Sequence, residues 1–97
     1  MKTKEDYKRE VLILKALANE ARLMIVDSLK DREITVGELT ELLKLDQSTV
    51  SKHLSVLYNA GILDYRKNGN LVYYQLLTPC VLDAFKCACR VVKEGKK

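Results

Sequence analysis

The chain has 97 residues, 47% of them apolar and 31% charged, with a formal net charge of +4. That suffices for one small domain spanning residues 1–97, in which a partner chain can supply part of the stability. No apolar run approaches the ~20 residues of a membrane helix. The charged start Met1-Lys2-Thr3-Lys4-Glu5-Asp6 is unlike a signal peptide, so the expected location is cytoplasmic, away from any membrane.

The first helix is predicted over residues 4–17, with Tyr7, Val11, Leu14 and Leu17 on one stripe at helical spacing. Asn19 has the form of an N-cap for a second helix, whose buried side is Leu23, Val26 and Leu29. Ile34 and Thr35 can make a very short strand. Thr35-Val36-Gly37-Glu38 is a capping box that opens a third helix carrying Leu39, Leu42 and Leu43 and ending near Lys44. Leu45-Asp46 leaves only a turn before a fourth helix. Asp46 caps it, and it stops at Ala60-Gly61, where the glycine suits the left-handed position beyond the C-cap. Two short helices across so brief a turn outline a helix-turn-helix. Residues 62–66 and 71–76 read as strands, and between them Lys67-Asn68-Gly69-Asn70 supplies the Asn-Gly signal of a hairpin. Thr78, with Pro79 behind it, starts a final helix predicted over residues 79–94, before a solvated tail, Gly95-Lys96-Lys97. The result is mostly α with a small β-hairpin, ordered ααβααββα: a winged helix-turn-helix.

At about 100° per residue the fourth helix divides into two arcs. Val50, Leu54, Leu57, Val56, Thr49 and His53 fall on one side; Gln47, Ser48, Ser51, Lys52, Ser55, Tyr58 and Asn59 fall on the other. The second arc carries hydroxyls, amides and a cation without a carboxylate, so it can approach DNA closely. Ordinary solvated helices mix Glu with Lys instead. Charge is distributed to match. From Gln47 to Asn70 the cations Lys52, Arg66 and Lys67 face one acid, Asp64. From Asp31 to Asp46 the acids Asp31, Glu33, Glu38, Glu41 and Asp46 outweigh Arg32 and Lys44. His53 lies on the apolar arc, which favours a buried structural role over a base contact or a metal role.

The segments Leu17-Ala18-Asn19-Glu20-Ala21-Arg22-Leu23, Ser48-Thr49-Val50-Ser51-Lys52-His53-Leu54 and Leu57-Tyr58-Asn59-Ala60-Gly61-Ile62-Leu63, followed by Asn68-Gly69 and Val72-Tyr73-Tyr74, span nearly the whole chain. In this order and spacing they resemble the ArsR/SmtB family of bacterial metal- and stress-responsive repressors. The resemblance implies a homodimer through the first and last helices that holds double-stranded operator DNA until an inducer binds. It places Gln47, Ser48, Ser51, Lys52 and Ser55 in the major groove, with Thr49 at the border. Gln47 and the serines would meet base edges, and Lys52 a phosphate. In the wing, Arg66, Lys67, Asn68 and Asn70 would reach flanking phosphates or the adjacent minor groove; the alternative is a hairpin that is merely solvated. A two-fold dimer presents its reading helices to half-sites one or more helical turns, ~34 Å, apart. In the last helix Val81, Leu82, Ala84, Phe85, Ala88, Cys89, Val91 and Val92 cover about half the circumference. That arc meets a second copy or covers the chain's own core.

Inducer sites differ within the family. A Cys-Val-Cys site at the start of the third helix is absent, because Thr35, Val36 and Gly37 occupy its positions. For a zinc site on the last helix, Asp83 has no accompanying histidine, and Phe85 stands where a second ligand is wanted. The remaining candidates are Cys80, Cys87 and Cys89, an odd set that fits no disulfide framework in a reducing compartment. Thiolates select thiophilic ions over hard cations, so the three form the expected metal site, with As(III) or Sb(III) as inducer and no obligatory cofactor. A single straight helix cannot gather them. Cys80 and Cys87 lie ~10.5 Å apart along its axis, and Cys87 and Cys89 point about 160° apart. Either the helix end unwinds, or two crossing last helices pool their thiols. A redox or persulfide switch is the second reading; a third makes Cys89 a small buried hydrophobe and the others incidental. No Ser-His-acid or Cys-His constellation and no Gly-rich phosphate loop supports an enzyme. The better rival is a winged helix that binds only protein, which would carry acids or large apolar groups on the exposed arc.

Overall fold

The computed structural model describes residues 2–95, so Lys96 and Lys97 of the expected tail lie outside the described residues. Local chemistry sets most helix starts. Thr3 caps α1 (Lys4–Leu17) in a reciprocal box with Asp6, and Asn19 caps α2 (Glu20–Ser28) by accepting from the Arg22 N–H. Thr35 ends the two-residue strand β1 (Ile34–Thr35) and closes the expected box with Glu38 over α3 (Val36–Leu43). Lys44 turns the chain in the left-handed region at φ 56°. Asp46 then caps α4 (Gln47–Asn59), its Oδ1 accepting from the Thr49 N–H at 2.8 Å. At the far end Gly61 takes φ 82°. The Ile62 N–H reaches back to the Leu57 carbonyl and the Gly61 N–H to that of Tyr58, both at 3.0 Å, which closes a Schellman motif.

These caps make stability depend on pH. Asp6 and Glu38 are held below the usual carboxylate range chiefly by the backbone N–H, then the hydroxyl, of Thr3 and Thr35. For Asp46 the Thr49 hydroxyl leads and the Thr49 N–H follows. A carboxyl whose folded pKa is depressed contributes stability above its unfolded value, and loses it as pH falls through the folded one. The urea midpoint should therefore drop on acidification below about pH 4. Urea titrations at pH 7 and pH 3 should show a smaller drop in the triple variant Asp6→Asn, Glu38→Gln, Asp46→Asn.

β2 (Leu63–Asn68) and β3 (Leu71–Leu76) form the wing, and β1 lines the other edge of β3, giving the order β1-β3-β2. The expected turn moves. Asn68 pairs with Leu71, so β2 runs on through Lys67 and Asn68, and the loop shrinks to Gly69-Asn70. Gly69 alone of the two has positive φ, 66°, which is the pattern of a type II′ turn with glycine first. The last helix also starts later than expected. In α5 (Val81–Lys93) Thr78 is no side-chain cap. The carbonyls of Thr78, Pro79 and Cys80 accept from Val81, Leu82 and Asp83 in tight three-residue steps that leave Pro79 outside the helix. The Thr78 hydroxyl is buried without a partner among the described residues.

The core gathers Leu17, Ile25, Val26, Ile34 and Leu39 around Val50, Leu54 and Leu57 of α4, with Ile62 and Leu63 closing the sheet side. α1 reaches it with Ala16, Leu17 and half-buried Ile13. Of the predicted stripe only Leu17 is buried; Tyr7, Val11 and Leu14 are 56%, 45% and 58% exposed. α5 divides along its length. Val81, Leu82 and Phe85 pack on the core, whereas Ala84, Ala88, Cys89, Val91 and Val92 remain exposed. Both helices project, and the radius of gyration is 14.9 Å, against about 12.5 Å for a compact chain of this length.

Candidate nucleic-acid interface

Val50, Leu54 and Leu57 anchor α4 in the core, and their burial turns the opposite arc outward. Gln47, Ser48, Ser51, Lys52 and Ser55 are all exposed on it, and Thr49 sits half-buried at its border. Val56 departs from the expectation: it is 40% exposed, beside Leu12 of α1 rather than under the core. His53 is half-buried, with its Nδ1 3.2 Å from Arg22 Nη1. A guanidinium only donates, so Nδ1 is the acceptor in this bond. Arg22 Nε also donates to the Ala16 carbonyl, in the last turn of α1. Arg22 thus ties α1, α2 and α4 together and fixes the angle of the exposed arc. The sequence hides that role, because the partners of Arg22 lie 6 residues before it and 31 after it.

The wing sorts its candidate residues by pleat, since successive strand side chains take opposite faces. Lys67 shares a face with Tyr65 and turns toward α4, where it stands near Ser55 and Tyr58. Arg66 takes the other face. Its Nη2 donates to Glu33 Oε1 at 2.8 Å, its Nε lies 3.0 Å from both Glu33 oxygens, and its guanidinium stacks over the Tyr73 ring at 4.6 Å. That bond holds the Glu33 carboxyl below its usual range and raises Arg66. Asn68 and Asn70 are exposed at the tip. The structure therefore brings Lys67 to the α4 arc and leaves Arg66 engaged behind the sheet. Tyr58, Tyr65 and Tyr74 bridge helix and wing, a contact between distant segments that no local sequence pattern marks. Ring centroids are 5.2 Å apart for Tyr58–Tyr65 and 5.6 Å for Tyr65–Tyr74, at tilted angles. Such pairs contribute about 0.5–1.5 kcal/mol each beyond their buried area. Burial raises the Tyr74 hydroxyl's pKa, and Tyr65 and Tyr58 add to the effect.

Cys80, Cys87 and Cys89 are all exposed, so in a single chain Cys89 is not a buried hydrophobe. Among the described residues no three His, Cys, Asp or Glu side chains are grouped to hold an ion, and the three thiols are not brought together. Among those residues no helix is long and apolar enough to cross a membrane.

A helix-turn-helix backed by a three-stranded sheet and a wing defines the class: a winged helix-turn-helix regulator. The family described as "bacterial regulatory protein, arsR family" matches residues 19–65. The transcriptional activator HlyU of Vibrio cholerae is 46% identical over 68 residues, 70% of this chain and 63% of that protein, so the chain spans less than two thirds of that relative. A structure of reduced HlyU superposes with a TM-score of 0.71 at 42% identity, covering 75% of this chain and 77% of that one. The biofilm growth-associated repressor of Xylella fastidiosa is 38% identical over 78 residues, 76% of this chain and 68% of the repressor. The homodimeric winged helix-turn-helix domain Mb0332 of Mycobacterium bovis superposes with a TM-score of 0.79 at 26% identity, covering 97% and 90% of the two chains. The chain belongs to the ArsR family of DNA-binding transcription regulators, which are not enzymes.

Proposed function

We propose that this chain is a homodimeric repressor that holds operator DNA in the cytoplasm and releases it when a thiophilic inducer reaches the α5 cysteines. One observation carries the DNA reading: the exposed, carboxylate-free arc Gln47, Ser48, Ser51, Lys52 and Ser55, held rigid by buried Val50, Leu54 and Leu57. In this reading Gln47 and the serines meet base edges, Lys52 and Lys67 neutralise phosphates, and Asn68 and Asn70 extend the contact at the wing tip. Thr49 borders the groove, and Arg66 joins only if it leaves Glu33. A protein-only module would not expose so polar an arc.

The dimer reading rests on apolar surface. Tyr7, Val11 and Leu14 of α1 and the distal half of α5 are exposed among the described residues, and the similar Mb0332 domain is homodimeric. Repression rather than activation follows the Xylella relative, whereas HlyU is named an activator. Sulfurs sharing one ion lie at ~2.3 Å from it, which Cys87 and Cys89 on α5 and Cys80 just before it do not satisfy. An As(III) or Sb(III) site then needs either the cysteines of two α5 helices or an unwound helix end, and by either route the inducer acts on the surface that joins the protomers. A redox or persulfide switch is the second reading, favoured by the exposure of all three thiols.

The test is a gel shift with the DNA upstream of the coding region, repeated with arsenite, antimonite, zinc, cadmium and polysulfide. Arsenite should release wild type, and at least one of Cys80→Ser, Cys87→Ser and Cys89→Ser should resist release. Normal release from all three single variants contradicts the metalloid site. Release by polysulfide alone selects the redox reading.

A further inference from the structure

Between α4 and the wing lies an open cleft of about 360 Å³ lined by Ser55, Tyr58, Asn59, Tyr65, Lys67, Val72 and Tyr74. Its polar groups are hydroxyls, an amide and an ammonium, without a carboxylate among them. Tyr58 and Tyr65 are 43% and 40% exposed at its mouth. Glu33 stands on the far face of the sheet and occupies Arg66, whereas Lys67 forms no ion pair among the described residues. Such a lining suits an anion that arrives from solvent.

Duplex geometry says which anion. One sugar-phosphate strand always separates a major groove from the next minor groove. With α4 in the first and the wing at the second, that strand crosses the gap between them. We infer that the cleft is its seat: Lys67 Nζ and the Tyr58 and Tyr65 hydroxyls bind a phosphodiester, while the stacked rings hold the wing at a fixed angle to α4. The inference rests on α4 reading DNA, and it adds residues that set register without reading sequence.

The test is a salt titration of duplex binding by wild type, Lys67→Ala and the double variant Tyr58→Phe, Tyr65→Phe. Phenylalanine keeps the ring stack and removes only the hydroxyls, and a thermal melt matching wild type confirms the fold. The slope of log affinity against log salt should shrink by about 0.9 per protomer in Lys67→Ala. The double variant removes two charge-assisted hydrogen bonds per protomer, each about tenfold or more, so it should lose affinity by at least about a hundredfold, and equally on operator and random duplex. A methylphosphonate at the seated position should weaken wild type and leave Lys67→Ala unaffected. Unchanged slope and affinity in both variants overturn the phosphate seat while the DNA reading stands. A wild type without salt-sensitive affinity overturns the reading beneath it.

Discussion

Ser51→Glu should lower operator affinity by at least about a hundredfold and leave the thermal melt unchanged. Ser51 is exposed in the middle of the α4 arc, and no carboxylate lies on that arc. A glutamate there faces phosphates and base acceptors from both protomers of a dimer. Like-charge juxtaposition at an interface costs several kcal/mol, and each 1.4 kcal/mol is about tenfold in affinity. Glutamate is also the better helix former, so lost binding will not reflect lost structure. Fluorescence anisotropy with labelled duplex, beside a melt followed by circular dichroism, makes the comparison. Wild-type affinity in this variant would remove α4 from the groove.

The double variant Val11→Asp, Leu14→Asp should halve the mass in solution and, with it, abolish tight operator binding. Both residues are exposed in the single chain, so the folded protomer tolerates the change. In a two-fold interface each substitution appears twice, and an unpaired buried carboxylate is costly enough that the surfaces separate. A lone protomer then reads one half-site. Analytical ultracentrifugation gives the mass and anisotropy the affinity. A dimer that persists places the interface elsewhere.

Most features decided within a few residues were legible in the sequence, the Thr78-Pro79 helix start being the exception. Asn19, the Thr35–Glu38 box, Asp46 and Gly61 each act on backbone three or four positions away, and each does so in the structure. What depends on distant partners was not legible. The hairpin loop moved because the ladder runs on through Asn68↔Leu71, a register set by the whole strand rather than by the Asn-Gly pair. The Arg66–Glu33 bond joins residues 33 apart, so composition alone could not show that one wing cation is engaged and the other free to face α4. Helical period found an apolar stripe on α1 but could not tell that only its end, Leu17, meets the core, joined there by Ile13 and Ala16 from beside the stripe. The exposed arc of α4 was readable because amphipathicity fixes which side is left over. The angle of that arc was not, because Arg22 and His53 set it across three helices.

If the polar arc of α4 lies against duplex DNA, wild-type affinity for operator duplex across a salt series will show it most directly. Lys52 and Lys67 of two protomers predict a straight line of log affinity against log salt with a slope of about −3.6. No binding at low ionic strength, or an affinity indifferent to salt, would contradict it.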